Sequence, residues 1–214
     1  GAGTPLAELN ALVDAEGQIL AFDPPDYGTS TLGGTVACGL SGPRRPFTGS
    51  VRDFVLGVGA ITSSGVYHEF GGQVMKNVAG YDVARLMTGA FGTLGVLADI
   101  SLKVLPKPER EVTLMQEITP DELRSRMRGL RNSGAPLSGL MASQNVLYIR
   151  LSGTEIGVRA AAADIGGEEV IGDQWALAAT QRLPALASAK QLWRVSVSSD
   201  NPMHMTDAAL VEWG

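Results

Sequence analysis

The sequence predicts an α+β protein of two segments, residues 1–106 and 109–214. In the first segment glycine is interleaved with valine, leucine, isoleucine and phenylalanine, a composition typical of tight turns and close backbone approaches in a folded sheet. In the second segment the patterns run strand, helix, two strands, helix and strand, which predicts a ferredoxin-like α+β domain. Pro106 and Pro108 lie between the two segments and indicate their boundary.

The first segment opens with a helix. Thr4 is expected to cap it, Pro5 suits its first position, and Gly17 ends it. A strand over 19–22 and a rigid turn over 23–28 follow. The apolar face of the helix is expected to consist of Leu6, Leu9, Leu12 and Val13.

The rest of this segment is predicted to form mainly strands. A buried strand over 51–61, a hairpin turn and a return strand over 66–70 are predicted, followed by a short helix over 81–90. The alternation from Val96 onward predicts one more strand. The side chains expected to face the core are Val83, Leu86 and Met87 of the helix and Val96, Ala98, Ile100, Leu102 and Val104 of the last strand.

The second segment carries clear local signals. A strand over 111–118 leads into Thr119-Pro120-Asp121-Glu122, a capping box with proline at the first helical position. The helix that follows should bury Leu123, Met127 and Leu130, while Arg124, Arg126, Arg128 and Arg131 should be solvated. The remaining predicted elements are a hairpin of 137–143 with 146–151, an alanine-rich helix over 154–165, and strands over 169–171 and 193–198.

Composition excludes several classes of protein. A net charge of -5 and a pI near 5.1 argue against a nucleic-acid-binding surface, which is normally basic. No apolar run approaches the roughly 20 residues of a membrane helix, so no direct membrane insertion is expected. The single cysteine, Cys38, is expected to be a packed thiol, and His68 and His204 have no ligand-spaced partners, so no metal site is expected. A cytoplasmic location is predicted, with attachment through partners to the inner membrane face as the alternative.

Three stretches could form a binding site. The glycine cluster over 33–42 could present backbone amides to phosphate oxygens, but it is neither a P-loop nor a Rossmann fingerprint, and from composition alone tight sheet corners are the favoured interpretation. The stretch 89–96 suits a backbone wall against a planar ring or an ordinary turn. Lys76, Asn77, Tyr81 and Asp82 could form a polar site, or a solvated loop in which Asp82 caps the next helix.

The order of the motifs resembles one family. TLGGTVA, GLSGPRR, VRDFVLG, GQVMKNVAGYD, GTLGV and LKVLP follow one another as in the FAD-binding (PCMH-type) domain of the vanillyl-alcohol oxidase type. The stretch VMKNVAGYDVARLM, with LWR at 192–194 and EWG at 212–214, is similar to the FAD-binding E subunits of bacterial glycolate oxidases. The resemblance covers nearly the whole chain.

The resemblance implies a fold and a set of cofactor contacts. Residues 1–106 would be the second lobe of the FAD-binding domain, residues 109–214 an α+β cap or substrate domain. Relative to the family we expect the chain to be truncated at both ends, lacking the phosphate-loop lobe and further cap strands, and therefore to bind FAD weakly or not at all on its own. The residues implied to contact FAD are Thr31, Leu32, Gly33, Gly34, Thr35, Ala37, Gly39, Ser41, Gly42, Arg44, Gly92, Gly95 and Val96.

The resemblance also implies a function. FAD would take a hydride from a small 2-hydroxy acid such as glycolate, giving glyoxylate, in a complex with a sister flavoprotein subunit and an iron–sulfur subunit. No catalytic residue is assigned, and without a histidine-rich metal site we favour an electron-relay or assembly role. The alternatives are a non-catalytic scaffold subunit that no longer holds FAD, and another oxidoreductase of the same fold.

Overall fold

In the computed structural model, which describes residues 1–72, 80–187, 189–196 and 210–212, the chain divides into two units, residues 1–107 and 108–214. None of the helices in the described part of the chain has the length and apolar composition needed to cross a membrane. The elements of the first unit are α1 (Leu6–Ala15), β1 (Gln18–Ile19), α2 (Leu32–Cys38), α3 (Arg45–Thr48), α4 (Val51–Phe54), β2 (Val55–Ile61), β3 (Tyr67–Gly71), α5 (Val83–Met87), β4 (Val96–Leu102) and β5 (Leu105–Pro106).

The first unit is built on a three-stranded antiparallel sheet in the order β3-β2-β4, with a small β1–β5 pair beside it. The helices bury one face of this sheet because their apolar side chains lie within one hydrophobic cluster. Phe22 and Phe54 are at its centre with ring centroids 5.6 Å apart. The other members of the cluster are Leu6, Leu20, Ala21, Leu32, Val36, Val51, Val55, Val58, Ala60, Ala84 and Met87.

The predicted helix at the start of the chain is confirmed, with two corrections. Its N-cap is Pro5 in an extended conformation, not Thr4, and Leu12 is 57% exposed rather than buried. Leu9 and Val13 do pack on the core with Leu6. Gly17 ends the helix with a φ of +65°, a conformation that glycine adopts without strain.

Two predicted strands are shorter than expected. The pattern over 51–61 is not one strand, because 51–54 forms the helical turn α4, which is held by a capping box between Ser50 and Asp53. The strand predicted over 19–22 is reduced to β1, although Leu20, Ala21 and Phe22 are buried as expected of a core segment. Apolar periodicity therefore located the core correctly and the secondary structure only in part.

The alternation predicted for the last strand is interrupted. Gly59 pairs with Asp99 but Ala60 pairs with Leu97, so Ala98 is an extra residue in β4. Such a bulge moves the side chains before it to the other face of the sheet. As a result Leu97 packs on the core while Val96 is 65% exposed. The predicted helix over 81–90 is likewise reduced to α5, in which Leu86 is 58% exposed.

The second unit has a ferredoxin-like sheet, and the α+β prediction is confirmed. The sheet is antiparallel in the order β10-β7-β8-β6-β9, and two helices, α6 and α7, lie on it. The elements are β6 (Arg110–Glu117), α6 (Pro120–Asn132), β7 (Leu137–Ser143), β8 (Val146–Gly153), α7 (Glu155–Ile165), β9 (Glu168–Val170), α8 (Gln174–Ala179), a 3-10 turn (Pro184–Leu186) and β10 (Val211–Glu212).

The capping box of α6 forms as the sequence predicts. Glu122 accepts hydrogen bonds from the hydroxyl and the amide of Thr119, at 2.7 and 3.4 Å, and the helix buries Leu123, Met127 and Leu130. Arg126 is not simply solvated, because its guanidinium donates to Gln116 at 3.1 Å and to the carbonyl of Ile165 at 3.0 Å. The strand predicted over 193–198 is wrong for 193–196, which are irregular and exposed, and 197–198 lie outside the described residues.

A pH-dependent contribution to stability is expected from Glu122. The two hydrogen bonds from Thr119 hold the pKa of this carboxyl below its ordinary value. A lowered folded-state pKa stabilises the fold above the unfolded-state pKa, and this contribution is lost as the pH falls through the folded-state pKa. Glu122→Gln keeps the capping geometry without the titration. Urea unfolding at pH 7 and pH 3 should therefore show a smaller loss of stability at low pH in the variant, and identical losses would contradict the assignment.

The second face of this sheet is covered by α8. Trp175 donates its indole N–H to Thr113 at 2.9 Å, and the guanidinium of Arg150 lies 4.6 Å from the centre of its ring. Gly139 leaves room for the ring, because a Cβ there would lie 2.8 Å from two ring carbons. Met141, Ala178 and Leu183 complete the buried cluster.

Gly139→Ala is expected to destabilise the second unit by about 1–2 kcal/mol, because the added methyl group overpacks the indole of Trp175. The change should appear both as a lower urea midpoint and as a shift of tryptophan fluorescence. Gly129→Ala is the matched control, since a Cβ at that helical glycine has no atom within 4 Å. Equal stability of the two variants would refute the packing argument.

Candidate cofactor site

The glycine cluster over 33–42 forms a helix first and turns afterwards. Residues 32–38 are α2, so the interpretation as tight sheet corners is wrong for the first part of the cluster. Thr31 caps the helix by accepting a hydrogen bond from the amide of Gly34 at 3.2 Å. The helix ends at Gly39, which has the left-handed conformation common after a helix C-terminus.

The first amides of α2 are all bonded within the chain. Leu32 donates to the carbonyl of Thr4 at 2.9 Å, and Gly33 donates to the carbonyl of Ala2 at 2.7 Å. The amide of Gly34 is taken by the hydroxyl of Thr31. The start of this helix therefore offers no free amide donor to a phosphate, and the glycines there need another explanation.

Several of the glycines permit the chain to pack on itself. A Cβ at Gly33 would lie 2.8 Å from Ala2, and a Cβ at Gly95 would lie 2.7 Å from the carbonyl oxygen of Ile61. At Gly42 the carbonyl of Asp23 occupies the space, and at Gly39 the backbone of Gly89 is 3.2 Å away. Two other implied contacts, Leu32 and Thr35, are 6% and 2% exposed and so belong to the interior.

The end of α2 is joined to the second predicted stretch, 89–96. The amide of Gly89 donates to the carbonyl of Val36, and the amide of Phe91 donates to the carbonyl of Ala37, both at 2.9 Å. These bonds place Gly92 near the helix that holds Thr31 and Gly34. The structure therefore brings the first and second predicted stretches into one neighbourhood.

Phe91 is the most unusual residue of this neighbourhood. It has a φ of +52°, a conformation that costs a non-glycine residue about 1–2 kcal/mol, and its ring is 72% exposed. The backbone of the next residue, Gly92, is open, because a Cβ there would have no atom within 4 Å. Leu94 and Val96 add two further exposed apolar side chains. An exposed aromatic ring beside open backbone suits contact with a planar ligand.

Ser41 and Gly42, two further implied contacts, form hydrogen bonds within the chain. The hydroxyl of Ser41 accepts a hydrogen bond from the amide of Val51 at 2.8 Å, and the amide of Gly42 donates to the carbonyl of Phe22 at 2.9 Å. Arg44 is only 8% exposed, whereas Arg45 is exposed. Of the two arginines, Arg45 is the one accessible to a ligand phosphate.

The polar stretch around residue 80 is described only in part. Asp82 caps α5 by accepting a hydrogen bond from the amide of Arg85 at 3.0 Å, so the prediction that Asp82 caps the next helix is confirmed. Tyr81 is 95% exposed. Lys76, Asn77 and His204 lie outside the described residues. Cys38 is exposed, so the expectation of a packed thiol is wrong. In the part of the chain that the structure describes, no three His, Cys, Asp or Glu side chains are grouped to hold a metal ion.

One carboxylate beside this region is tuned by its surroundings. Burial alone would raise the pKa of Asp53, but hydrogen bonds from the hydroxyl and amide of Ser50, with Arg85 and Arg52 nearby, hold it below its usual value. Asp53 therefore stays ionised as the partner of a helix cap and is not a candidate proton acceptor. Sequence reasoning did not single out Phe91, because its positive φ is a conformation that phenylalanine rarely adopts.

A family model and a solved structure show what the chain is similar to. Residues 1–71 match the family model described as a FAD binding domain. Alkyldihydroxyacetonephosphate synthase shares the fold, with a TM-score of 0.63 and 19% identity over 79% of this chain and 39% of that one. The resemblance to a FAD-binding domain and the α+β class are thereby confirmed.

Three proteins with similar sequences are named as glycolate oxidase subunits or as a D-lactate dehydrogenase. The chain is 49% identical to glycolate oxidase subunit GlcE of Escherichia coli (strain K12) over 214 residues, which are 99% of this chain and 61% of the relative. It is 28% identical to D-lactate dehydrogenase of Archaeoglobus fulgidus over 82% of this chain and 36% of that protein. It is 37% identical to glycolate oxidase subunit GlcD of Bacillus subtilis (strain 168) over 48% of this chain and 22% of that subunit.

Proposed function

We propose that this chain is the FAD-binding part of a subunit of a glycolate-oxidising complex. The observation that carries the proposal is the 49% identity to a glycolate oxidase subunit across 99% of the chain, which spans about 61% of that relative's length. The match of residues 1–71 to a FAD binding domain supports the cofactor. In this proposal the first unit binds FAD and the second unit is the cap or substrate domain.

The described residues fit the rings of FAD better than its phosphates. Phe91 and Val96 offer exposed apolar side chains beside the open backbone of Gly92, whereas the first amides of α2 are already bonded. We therefore propose that Phe91 lines the ring-binding surface, together with Thr31, Gly34, Ala37, Gly92 and Val96. The remaining implied residues, Leu32, Gly33, Thr35, Gly39, Ser41, Gly42, Arg44 and Gly95, would hold that surface in shape through the core and close backbone contacts.

When bound, FAD supplies the hydride acceptor for oxidation of a 2-hydroxy acid. The chain's contribution is to bind the cofactor and to exclude water with its apolar side chains, which strengthens the polar interactions inside the site. No described side chain is assigned as the base that removes the proton of the substrate hydroxyl.

The proposed partners are a sister flavoprotein subunit and an iron–sulfur subunit, which would carry the electrons onward. The two glycolate oxidase relatives are named as different subunits, which supports assembly with another flavoprotein. A cytoplasmic location, with peripheral attachment through those partners, stays a prediction.

A second substrate is favoured by one specific observation. The D-lactate dehydrogenase relative aligns over 82% of this chain, so both units are covered. D-lactate differs from glycolate by one methyl group, and a pocket discriminates such a difference by about 1–3 kcal/mol.

The test is anaerobic bleaching of the flavin in the complex purified with its co-expressed partner subunits. Glycolate should reduce the flavin faster than D-lactate at equal concentration. Faster reduction by D-lactate would favour the second substrate. A folded complex that contains no FAD bound to this subunit would overturn the proposed function in favour of a scaffold role.

A further inference from the structure

Residues 90–93 form a turn that carries Phe91 and the open backbone of Gly92. The amide of Thr93 donates to the carbonyl of Ala90 at 3.0 Å, which closes the turn over four residues. Both central residues have a positive φ, +52° at Phe91 and +73° at Gly92. Such turns favour asparagine, aspartate or glycine at the first central position, because a positive φ strains a larger side chain. Phenylalanine at this position therefore destabilises the turn, which needs further contacts to stay closed.

The hydroxyl of Thr93 supplies one of these contacts. Thr93 Oγ1 donates to the Ala90 carbonyl oxygen at 2.6 Å, beside the hydrogen bond from the amide of the same residue. A carbonyl oxygen accepts two hydrogen bonds, and Thr93 provides donors for both. Removal of the hydroxyl would therefore take away one of the two bonds that close the turn.

The same peptide unit is bonded at its other end to α2. The Ala90 carbonyl and the Phe91 amide belong to one planar group, and this amide donates to the carbonyl of Ala37 at 2.9 Å. Rotation of the plane would return the φ of Phe91 to the negative values that phenylalanine prefers. The rotation would also break the hydrogen bonds to Thr93 and Ala37. The bonds at both ends therefore hold Phe91 in its strained conformation and next to α2.

We propose that Thr93 is a positioning residue of the cofactor site, whose hydroxyl holds the 90–93 turn so that Phe91 is presented to the rings of FAD. This inference rests on the proposed function, since it takes FAD as the ligand of the surface that includes Phe91. Thr93 acts through the backbone of Phe91 and is not assigned a contact with the cofactor. A turn that is closed before FAD arrives lowers the cost of ordering Phe91 on binding.

The first measurement is the FAD affinity of the complex purified with its co-expressed partner subunits and stripped of flavin. Fluorescence titration gives the affinity, and titration of the partner subunits without this chain gives the signal to be subtracted. Thr93→Val keeps the branched shape without the hydroxyl and should weaken FAD binding about 3- to 10-fold. Thr93→Ser restores the hydroxyl and should bind FAD like the wild type. Thr180→Val is the matched control and should leave the affinity unchanged, because Thr180 Oγ1 makes the same kind of bond, to the Ala176 carbonyl at 2.7 Å, in the second unit.

A double-mutant cycle shows whether Thr93 acts through Phe91. In the Phe91→Ala background the ring is gone, so Thr93→Val should cause no further loss of FAD affinity. If the two losses multiply instead, Thr93 acts on the site independently of Phe91 and the proposal is overturned. Circular dichroism confirms that each variant is folded.

Hydrogen exchange without FAD tests the turn itself. The amide of Phe91 should exchange faster in Thr93→Val than in the wild type, in Thr93→Ser or in Thr180→Val, because the turn opens more often. Unchanged exchange, or FAD binding by Thr93→Ser as weak as that by Thr93→Val, would overturn the role of the hydroxyl and leave the proposed function standing. Faster exchange with unchanged FAD affinity would also overturn it, since the turn would then not serve the cofactor. A wild-type complex that takes up no FAD beyond that of its partner subunits would overturn the proposed function itself.

Discussion

Gly42→Ala should destabilise the protein by about 3–5 kcal/mol, enough to leave much of it unfolded. A Cβ at this position would overlap the carbonyl oxygen of Asp23 and lie 3.0 Å from its carbonyl carbon. Backbone atoms cannot turn away as a flexible side chain can. Asp23 is also held in the left-handed region with a φ of +56°, and the amide of Gly42 is bonded to Phe22 at 2.9 Å.

The measurement for this variant is equilibrium urea unfolding monitored by circular dichroism. Gly3→Ala is the control, because that glycine has an ordinary φ and a Cβ there has nothing within 4 Å. Gly3→Ala should be neutral or slightly stabilising, since alanine restricts the unfolded chain. A Gly42→Ala protein as stable as Gly3→Ala would mean that the 41–44 turn does not pack on residues 22–23 as described.

Phe91→Ala should lower FAD affinity roughly 10-fold, since stacking of a planar ring on an aromatic side chain contributes about 1–3 kcal/mol. The structural reason is the exposed ring held beside the open backbone of Gly92. Phe91→Gly should weaken FAD binding equally. It should also be more stable than Phe91→Ala by about 1 kcal/mol, because glycine removes the strain of a positive φ.

The two Phe91 variants separate binding from folding. Fluorescence titration with FAD gives the affinity, and urea unfolding without FAD gives the stability. If both variants bind FAD like the wild type, Phe91 is not part of the ring-binding surface. If Phe91→Ala is the more stable of the two, the positive φ at this position is not a source of strain.

Much of the second unit could be predicted from the sequence because its signals are local. The capping box at Thr119 and Glu122 and the apolar spacing of Leu123, Met127 and Leu130 depend only on neighbouring residues. The order of strands and helices then favoured a ferredoxin-like sheet, which the structure has. The position of α8 over the second face of the sheet depends on the contact between Trp175 and Gly139, which are distant in sequence. It could therefore not be predicted from local sequence patterns.

The first unit was harder because long-range contacts override local preference there. Two adjacent glycines disfavour a helix by about 1 kcal/mol each, yet α2 forms because Gly33 packs on Ala2 and Thr31 caps the end. The bulge at Ala98 is similarly coupled to the start of the chain, where the amide of Ala2 donates to the Ala98 carbonyl at 2.7 Å. Neither contact can be inferred from periodicity.

The sequence predicted which stretches form the candidate site, but it did not predict what most of their residues do. Thr31 to Gly39 and Gly92 to Val96 do come together through the end of α2. However, four of the implied glycines allow the chain to approach itself, which composition cannot distinguish from a ligand approach. Phe91 depends on a backbone conformation that no residue preference predicts.

The most direct test of the central claim, that this chain binds FAD, is the flavin content of the complex. The complex is incubated with excess FAD and desalted, and its absorption spectrum is recorded. The amount of FAD released on denaturation is then quantified relative to the amount of protein. The partner subunit purified alone gives the flavin to be subtracted. We predict one additional FAD for each copy of this chain. A folded complex with no flavin beyond that of the partner would contradict the claim.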